Sequence, residues 1–337
     1  MRTRIGILTI ILVFVIATAV HVGQQPSPTG ATPPAWAYPV NPPAAAGNRG
    51  AQPAQPAAPP NTAPRTLPGS SASFTQAQTR DLFNVADWHP DNHPPAPEIV
   101  LKGRRPDVRA CGYCHLPNGQ GRPENSSLAG LPASYIIQQM ADFKNGLRKS
   151  SEARMGPPAA MVTLAKAASD EDNAAAAAYF ASFKFKQWIR VVESNTVPKH
   201  RIQGGMFVPA EESGTEPIGQ RIIEMPENLE RTELRDSGSG FVAYVPTGSI
   251  KKGEALVKTG GAGKTVQCGL CHGNDLKGLG PVPGIAGRSP SYTVRQLFDM
   301  QQGNRAGQWS ELMKAAVAKL TQDDLIAIAA YTASLAP

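Results

Sequence analysis

Residues 111–115 read Cys-Gly-Tyr-Cys-His and residues 268–272 read Cys-Gly-Leu-Cys-His. These two frames use all four cysteines of the chain, so none is left for a structural disulfide or a free nucleophilic thiol. The frames lie 157 positions apart, and the duplication runs well beyond them. In that register Ala129-Gly130 falls on Ala286-Gly287 and Ser134-Tyr135 on Ser291-Tyr292. Gln139 likewise matches Gln296, Asp142 matches Asp299, Gly146 matches Gly303 and Arg148 matches Arg305. A five-residue contraction then brings the offset to 152, which matches Met161 to Met313, Ser169 to Thr321, Asp172 to Asp324 and Tyr179 to Tyr331. One unit is present twice, and both copies must fold alike.

The unit reads as helical. Ser134 and Ser291 stand where an N-cap belongs, and Gly146 and Gly303 where a helix would stop. Between them Tyr135, Ile136, Met140 and Phe143 fall on one face. Later, Ser169-Asp170-Glu171-Asp172 and Thr321-Gln322-Asp323-Asp324 fit the capping-box pattern. Each opens an Ala-rich run that ends in an aromatic, Tyr179-Phe180 or Tyr331.

Two cysteines separated by two residues and followed at once by histidine form the attachment frame of c-type haem. The two thiols, Cys111 with Cys114 and Cys268 with Cys271, add to the two vinyl groups on one porphyrin edge. The adjacent His115 or His272 then lies beneath the iron as its proximal ligand. The competing readings are a redox-active cysteine pair and half of a zinc site. Both leave the histidine unexplained, and the exact twofold use of all cysteines counts against them.

A sixth ligand must come from elsewhere in each copy, and a methionine thioether is the usual one in electron carriers. Met140 matches Leu297 and Met300 matches Phe143, so both read as core positions, while Met155 has no counterpart. Met161 and Met313 match each other, each eight residues before the cap of the last helix. The internal symmetry therefore points to Met161 and Met313 as the distal ligands, although methionine in general is more often core filler.

Both copies resemble class I cytochromes c, and the pair resembles the bacterial tandem dihaem cytochromes c. The resemblance rests on the frames, on Leu128-Ala129-Gly130 and Ile285-Ala286-Gly287, and on Tyr135 and Tyr292. It rests also on Met161 and Met313, and on the final runs Ser169 to Tyr179 and Thr321 to Tyr331. It implies a mainly α fold of two such domains and two covalently bound haem c groups whose irons sit between His115 and Met161 and between His272 and Met313. Three departures stand out. The proline that helps orient the proximal histidine is Pro283 in the second copy, but Ser126 takes its place in the first. The first copy lacks the N-terminal helix seen as Ile250 to Val257 in the second; it has instead Thr75 to Val85 and a Pro-rich stretch with His89 and His93. Those histidines, like His200, read as turn residues, with axial ligation of the first haem as the alternative. The third departure is residues 187–248, which have no partner in the repeat.

The remaining chain sets the domain plan. Met1-Arg2-Thr3-Arg4 precedes an uncharged apolar run from Ile5 to about Val22, so residues 1–23 form an export signal or a retained membrane anchor. Residues 24–72, rich in Pro and Ala, read as a disordered tether. Residues 73–186 and 249–337 are the two haem domains. Residues 187–248 form a connector in which short β-branched and aromatic runs, such as Trp188 to Val192 and Phe241 to Val245, predict a few strands. Charge is uneven. Residues 98–201 carry fifteen basic against nine acidic side chains, residues 211–250 three against eight, and residues 251–337 ten against six. Nothing in this asymmetry calls for nucleic acid, whereas a basic face suits an acidic redox partner.

The leading functional reading is an electron-transfer protein with no catalytic residue, placed in the periplasm either free after cleavage or tethered to the inner membrane. It would carry single electrons between donor and acceptor proteins, or act as a subunit docked on a dehydrogenase or oxidase complex. The alternative is a dihaem redox enzyme such as a cytochrome c peroxidase, which needs one iron able to open to peroxide.

Overall fold

The computed structural model describes residues 30–41 and 62–337. Among the described residues no helix is long and apolar enough to cross a membrane. The expected signal or anchor at residues 1–23, and the tether residues 24–29 and 42–61, lie outside the described residues.

The sequence repeat is also a repeat of backbone conformation. Positive φ recurs at matched positions: Leu116 with Gly273, Gly119 with Leu276, Gly121 with Gly278, Gly130 with Gly287 and Gly146 with Gly303. The left-handed turn after each frame sends the chain back over its own histidine. The loop then closes on itself, as Leu128 N and Ala129 N donate to Gly119 O while Ile285 N and Ala286 N donate to Leu276 O. Gly130 N donates to Phe180 O and Gly287 N to Thr332 O, which ties each loop to the end of the terminal helix. A Cβ on Gly287 would stand 2.9 Å from Pro337 Cδ, so the close approach as well as the positive φ calls for glycine.

Each unit then runs through three helices: Ala133–Lys144, Gly156–Ala167 and Asp170–Ala181 in the first, Pro290–Gln301, Glu311–Val317 and Gln322–Ser334 in the second. Both capping boxes form. Ser169 Oγ accepts from Asp172 N and Thr321 Oγ1 from Asp324 N, and each aspartate accepts the cap's own N–H in return. The caps expected at Ser134 and Ser291 lie elsewhere. The helices begin after Pro132 and Ser289, and both serines sit inside the first turn. Pro290 at the first helical position explains the second case, because its fixed φ and missing N–H suit a helix start.

In the second unit the Ser249–Thr259 helix crosses the terminal helix so closely that a Cβ on Gly253 would lie 1.9 Å from Ala327 O. The first unit has no such crossing. Asp81 Oδ1 accepts from Phe83 N, a local bond that competes with helix formation, and the Thr75–Val85 stretch holds only the 3₁₀ turn Gln78–Arg80. The one-turn helix Glu98–Leu101 packs there instead, burying Ile99 and Val100 with Ala176, Ala177 and Phe180.

The connector holds a three-stranded sheet, ordered Ile189–Glu193, Phe241–Val245, Ile223–Pro226, with the first pair parallel and the second antiparallel. Two further antiparallel pairs join Thr196–Pro198 to Thr215–Pro217 and His200–Gln203 to Met206–Pro209. The sheet is locked to the second unit by Glu224. This buried carboxylate accepts from Ser289 Oγ and from Ser291 N at 2.9 Å.

The tether reading needs one correction. Within residues 24–72, Trp36, Ala37 and Tyr38 are buried against the second unit's core. Tyr38 donates to Asp299 Oδ1 at 2.7 Å, and Arg295 donates to Ala37 O at 2.8 Å. Leu67 is likewise buried, beside Trp88 and Leu234. Two aromatic side chains bury about 150–250 Å² each, enough to order a short segment whose average composition argues for disorder.

Candidate haem sites and the seam between them

Each cysteine frame is a single helical turn, Cys111–His115 in the first unit and Gly269–His272 capped by Cys268 in the second. Helical spacing brings the two thiols of a frame onto one side, with the histidine beginning the next turn. Both histidines are buried. His115 Nδ1 lies 2.8 Å from Ser126 O, and His272 Nδ1 lies 2.7 Å from Pro283 O. A carbonyl oxygen only accepts, so Nδ1 must carry the proton and Nε2 keeps its lone pair for a metal. Burial pushes both imidazoles below their usual pKa, which favours the neutral, ligating form. The missing proline of the first unit is therefore no defect here: the contact is made by a backbone carbonyl, which Ser126 supplies as Pro283 does.

The zinc reading asks for a cluster of donors. Among the described residues no group of three or more His, Cys, Asp or Glu side chains could hold a metal ion.

Met161 lies half-buried on the Gly156–Ala167 helix, and Met313 lies half-buried on Glu311–Val317, where it packs with Cys268 against the second unit's core. Met300 is buried on its helix, and Met155 is buried at the start of Gly156–Ala167. The other described histidines are occupied elsewhere. His93 Nε2 meets Asp87 at 2.9 Å while its Nδ1 meets Pro94 O. His89 Nε2 meets Asp236 at 2.8 Å, and His200 Nδ1 meets Pro198 O.

The repeat matches Arg148 to Arg305, Tyr135 to Tyr292 and Gln139 to Gln296; Tyr135 reads as part of an apolar helix face, and the sequence assigns the arginines and glutamines no role. The structure places all six in one seam where the two units meet about a pseudo-twofold axis. The backbones bridge at Arg148 and Arg305, with Lys149 N donating to Asn304 O and Ala306 N to Leu147 O, both at 2.7 Å. Each arginine then crosses to the other unit. Arg148 donates to Tyr292 Oη and Gln296 Oε1, at 2.8 and 2.9 Å. Arg305 donates to Tyr135 Oη and Gln139 Oε1, at 2.7 and 2.9 Å. Burial pushes the Tyr292 hydroxyl up, but the two guanidinium groups outweigh it and hold that hydroxyl below the usual phenol value. The signal for this seam was in the sequence: polar side chains that survive duplication without serving the core.

Both guanidinium groups are buried, and the hydrogen-bond partners given above are neutral phenols and amides. Arg305 Nε has no hydrogen-bond partner among the described residues. Arg288 is buried over the Phe185 ring, 4.3 Å from its centre, and donates to the carbonyls Gly284 O, Ser127 O and Ala129 O, and burial pushes its pKa down to about 10. Burial opposes the Arg148 cation, but Tyr292, Tyr135 and the Asp299 carboxylate outweigh it and hold its pKa up, whereas Arg288 has no carboxylate partner, and a buried cation of that kind is costly. The propionate carboxylates of a haem would supply the missing anions, and paired thiols with an anchored imidazole supply its covalent and axial bonds. The residues fit the group.

No protein-family model matches the chain. It is 25% identical over 237 residues to cytochrome c4 of Stutzerimonas stutzeri, covering 68% of this chain and 85% of that one. It is 24% identical over 234 residues to a thiosulfate dehydrogenase electron acceptor of Thiomonas intermedia, covering 68% and 80%. Over 75 residues it is 35% identical to cytochrome c-554(548) of Halomonas halodenitrificans, covering 22% of this chain and 90% of that one.

Proposed function

Because this chain belongs to the c-type cytochromes and carries two such units in tandem, we propose that it passes single electrons between a donor and an acceptor protein in the periplasm, with a dehydrogenase as the donor. It is an electron-transfer protein with two covalently bound haem c groups, not a catalyst in its own right. The donor class follows the name of the Thiomonas relative. Export is called for by the attachment chemistry and supported by the basic and apolar N-terminus.

Cys111, Cys114, Cys268 and Cys271 would hold the two haems covalently, and His115 with Met161 and His272 with Met313 would supply the protein ligands of their irons. The observation that carries this assignment is the matched pair of imidazoles, each fixed through Nδ1 to a carbonyl eleven residues on and each accompanied by a methionine at the same place in the repeat. With two protein ligands each, the irons would offer no open site to a substrate, which suits a carrier and opposes a peroxidase.

The test is stopped-flow mixing of the purified holo-protein. The ferrous form should give up its electrons to ferricyanide and be reducible again. Hydrogen peroxide should be turned over far more slowly than about 1 per second, the low end of ordinary enzyme rates. Sustained peroxide turnover at or above that rate would contradict the reading.

A further inference from the structure

The duplicated unit allows the two cysteine faces to be compared position by position, and they differ in what covers them. In the first unit, four residues around the frame bond to the connector. Arg235 stacks 3.7 Å above the Tyr113 ring and donates to Tyr113 O at 2.7 Å. Asn118 Nδ2 donates to Ser237 O at 2.9 Å, and Gln120 Nε2 to Ser239 O at 2.8 Å. Arg122 Nη2 contacts the Met206 sulfur at 2.9 Å. The covering stretch is itself pinned, since Trp88 Nε1 donates to Leu234 O and Asp236 meets both His89 and Arg231.

The matched positions of the second unit are Leu270, Asp275, Lys277 and Leu279, and all four are exposed, Leu270 at 66% and Leu279 at 59%. Val266, just before the frame, is exposed too, as is Cys271, whereas Cys114 is half-buried. The Gly278–Leu279 strand packs against the frame helix, so Leu270 and Leu279 belong to one local surface.

We infer that the connector closes the first unit's cysteine face to other proteins, so that electrons enter and leave through the second unit, whose apolar cysteine face takes a redox protein with an acidic rim. The inference rests on the electron-transfer reading. A thioether would fix a haem edge to its cysteine, so whatever covers Cys114 would cover that edge, and the exposed Cys271 would leave its edge open. Large exposed apolar side chains in one patch mark contact surfaces. The surrounding unit, with ten basic side chains against six acidic, selects an acidic rim. At this face a reduced partner would give up one electron to the haem that Cys268, Cys271 and His272 would hold, and the seam of Arg148 and Arg305 joins that unit to the first.

The experiment is voltammetry of the holo-protein on gold bearing a mixed layer of carboxylate- and methyl-terminated alkanethiols, a stand-in for an acidic-rimmed apolar face. L270E with L279E should slow interfacial electron exchange by about tenfold or more, and K277E alone should slow it in the same direction. R109E, which inverts a charge beside the first frame, should leave the rate within about twofold. A solution titration with small mediators is run on every variant. Two electrons per chain there preserve the carrier reading whatever the electrode shows, and fewer would sink that reading first. R109E slowing exchange as much as the double variant, or a double variant that keeps the wild-type rate, would overturn the docking inference.

Discussion

Replacing Met313 with alanine is expected to abolish one of two methionine-to-iron charge-transfer bands at the red end of the oxidised spectrum and leave the other intact. The thioether favours the ferrous state, so its loss should lower the second unit's potential by roughly 0.1 V or more, a modest part of the ~0.8 V that axial ligands command. The opened iron should then bind cyanide readily, which the unmodified protein should do slowly or not at all. Met161→Ala should do the same to the first unit. The seam makes the paired comparison informative. Because Arg148 and Arg305 each cross to the opposite unit, a change in one potential should shift the other only slightly, through charge, while its band stays in place. Band loss in neither variant would mean that the repeat was the wrong guide to the ligands.

Replacing Cys111 and Cys114 together with alanine should halve the covalent haem, from two per chain to one, as read by haem stain on a denaturing gel and by pyridine haemochrome. Removing Cys268 and Cys271 should also halve it, but with a larger loss of stability. That unit's core is continuous with Trp36, Tyr38 and the connector residues Ile223 and Val245, so an empty second site weakens three segments at once. The first unit's core is the smaller, built around Val100, Ala177 and Phe180. An unchanged haem content in either variant would dismiss the frame as the point of attachment.

What was legible in the sequence was local chemistry. The frames could be read because attachment depends on spacing within five residues, and the terminal helices because a capping box is complete within four. The β-branched and aromatic runs at Ile189–Glu193 and Phe241–Val245 announced strands, but that they pair in parallel depends on a crossover of about fifty residues that no window contains. Ser134 and Ser291 misled because a serine near a helix start is a good cap wherever it falls, and neighbouring Pro132 and Pro290 decided the boundary. The docked Trp36-Ala37-Tyr38 segment was hidden by its own flanks, since two aromatics vanish in an average over proline and alanine. The seam was visible as symmetry but not as contact. Duplication shows that Tyr135, Gln139 and Arg148 recur, and only the fold shows that each arginine serves the other copy.

The central claim is that this chain holds two closed, one-electron sites. Its most direct test is a spectroelectrochemical titration of the purified holo-protein, with electron paramagnetic resonance on the oxidised sample. The account predicts two electrons per chain and two low-spin ferric signals, with no high-spin iron at neutral pH. One electron per chain, or a high-spin ferric signal amounting to one of the two irons, would contradict it.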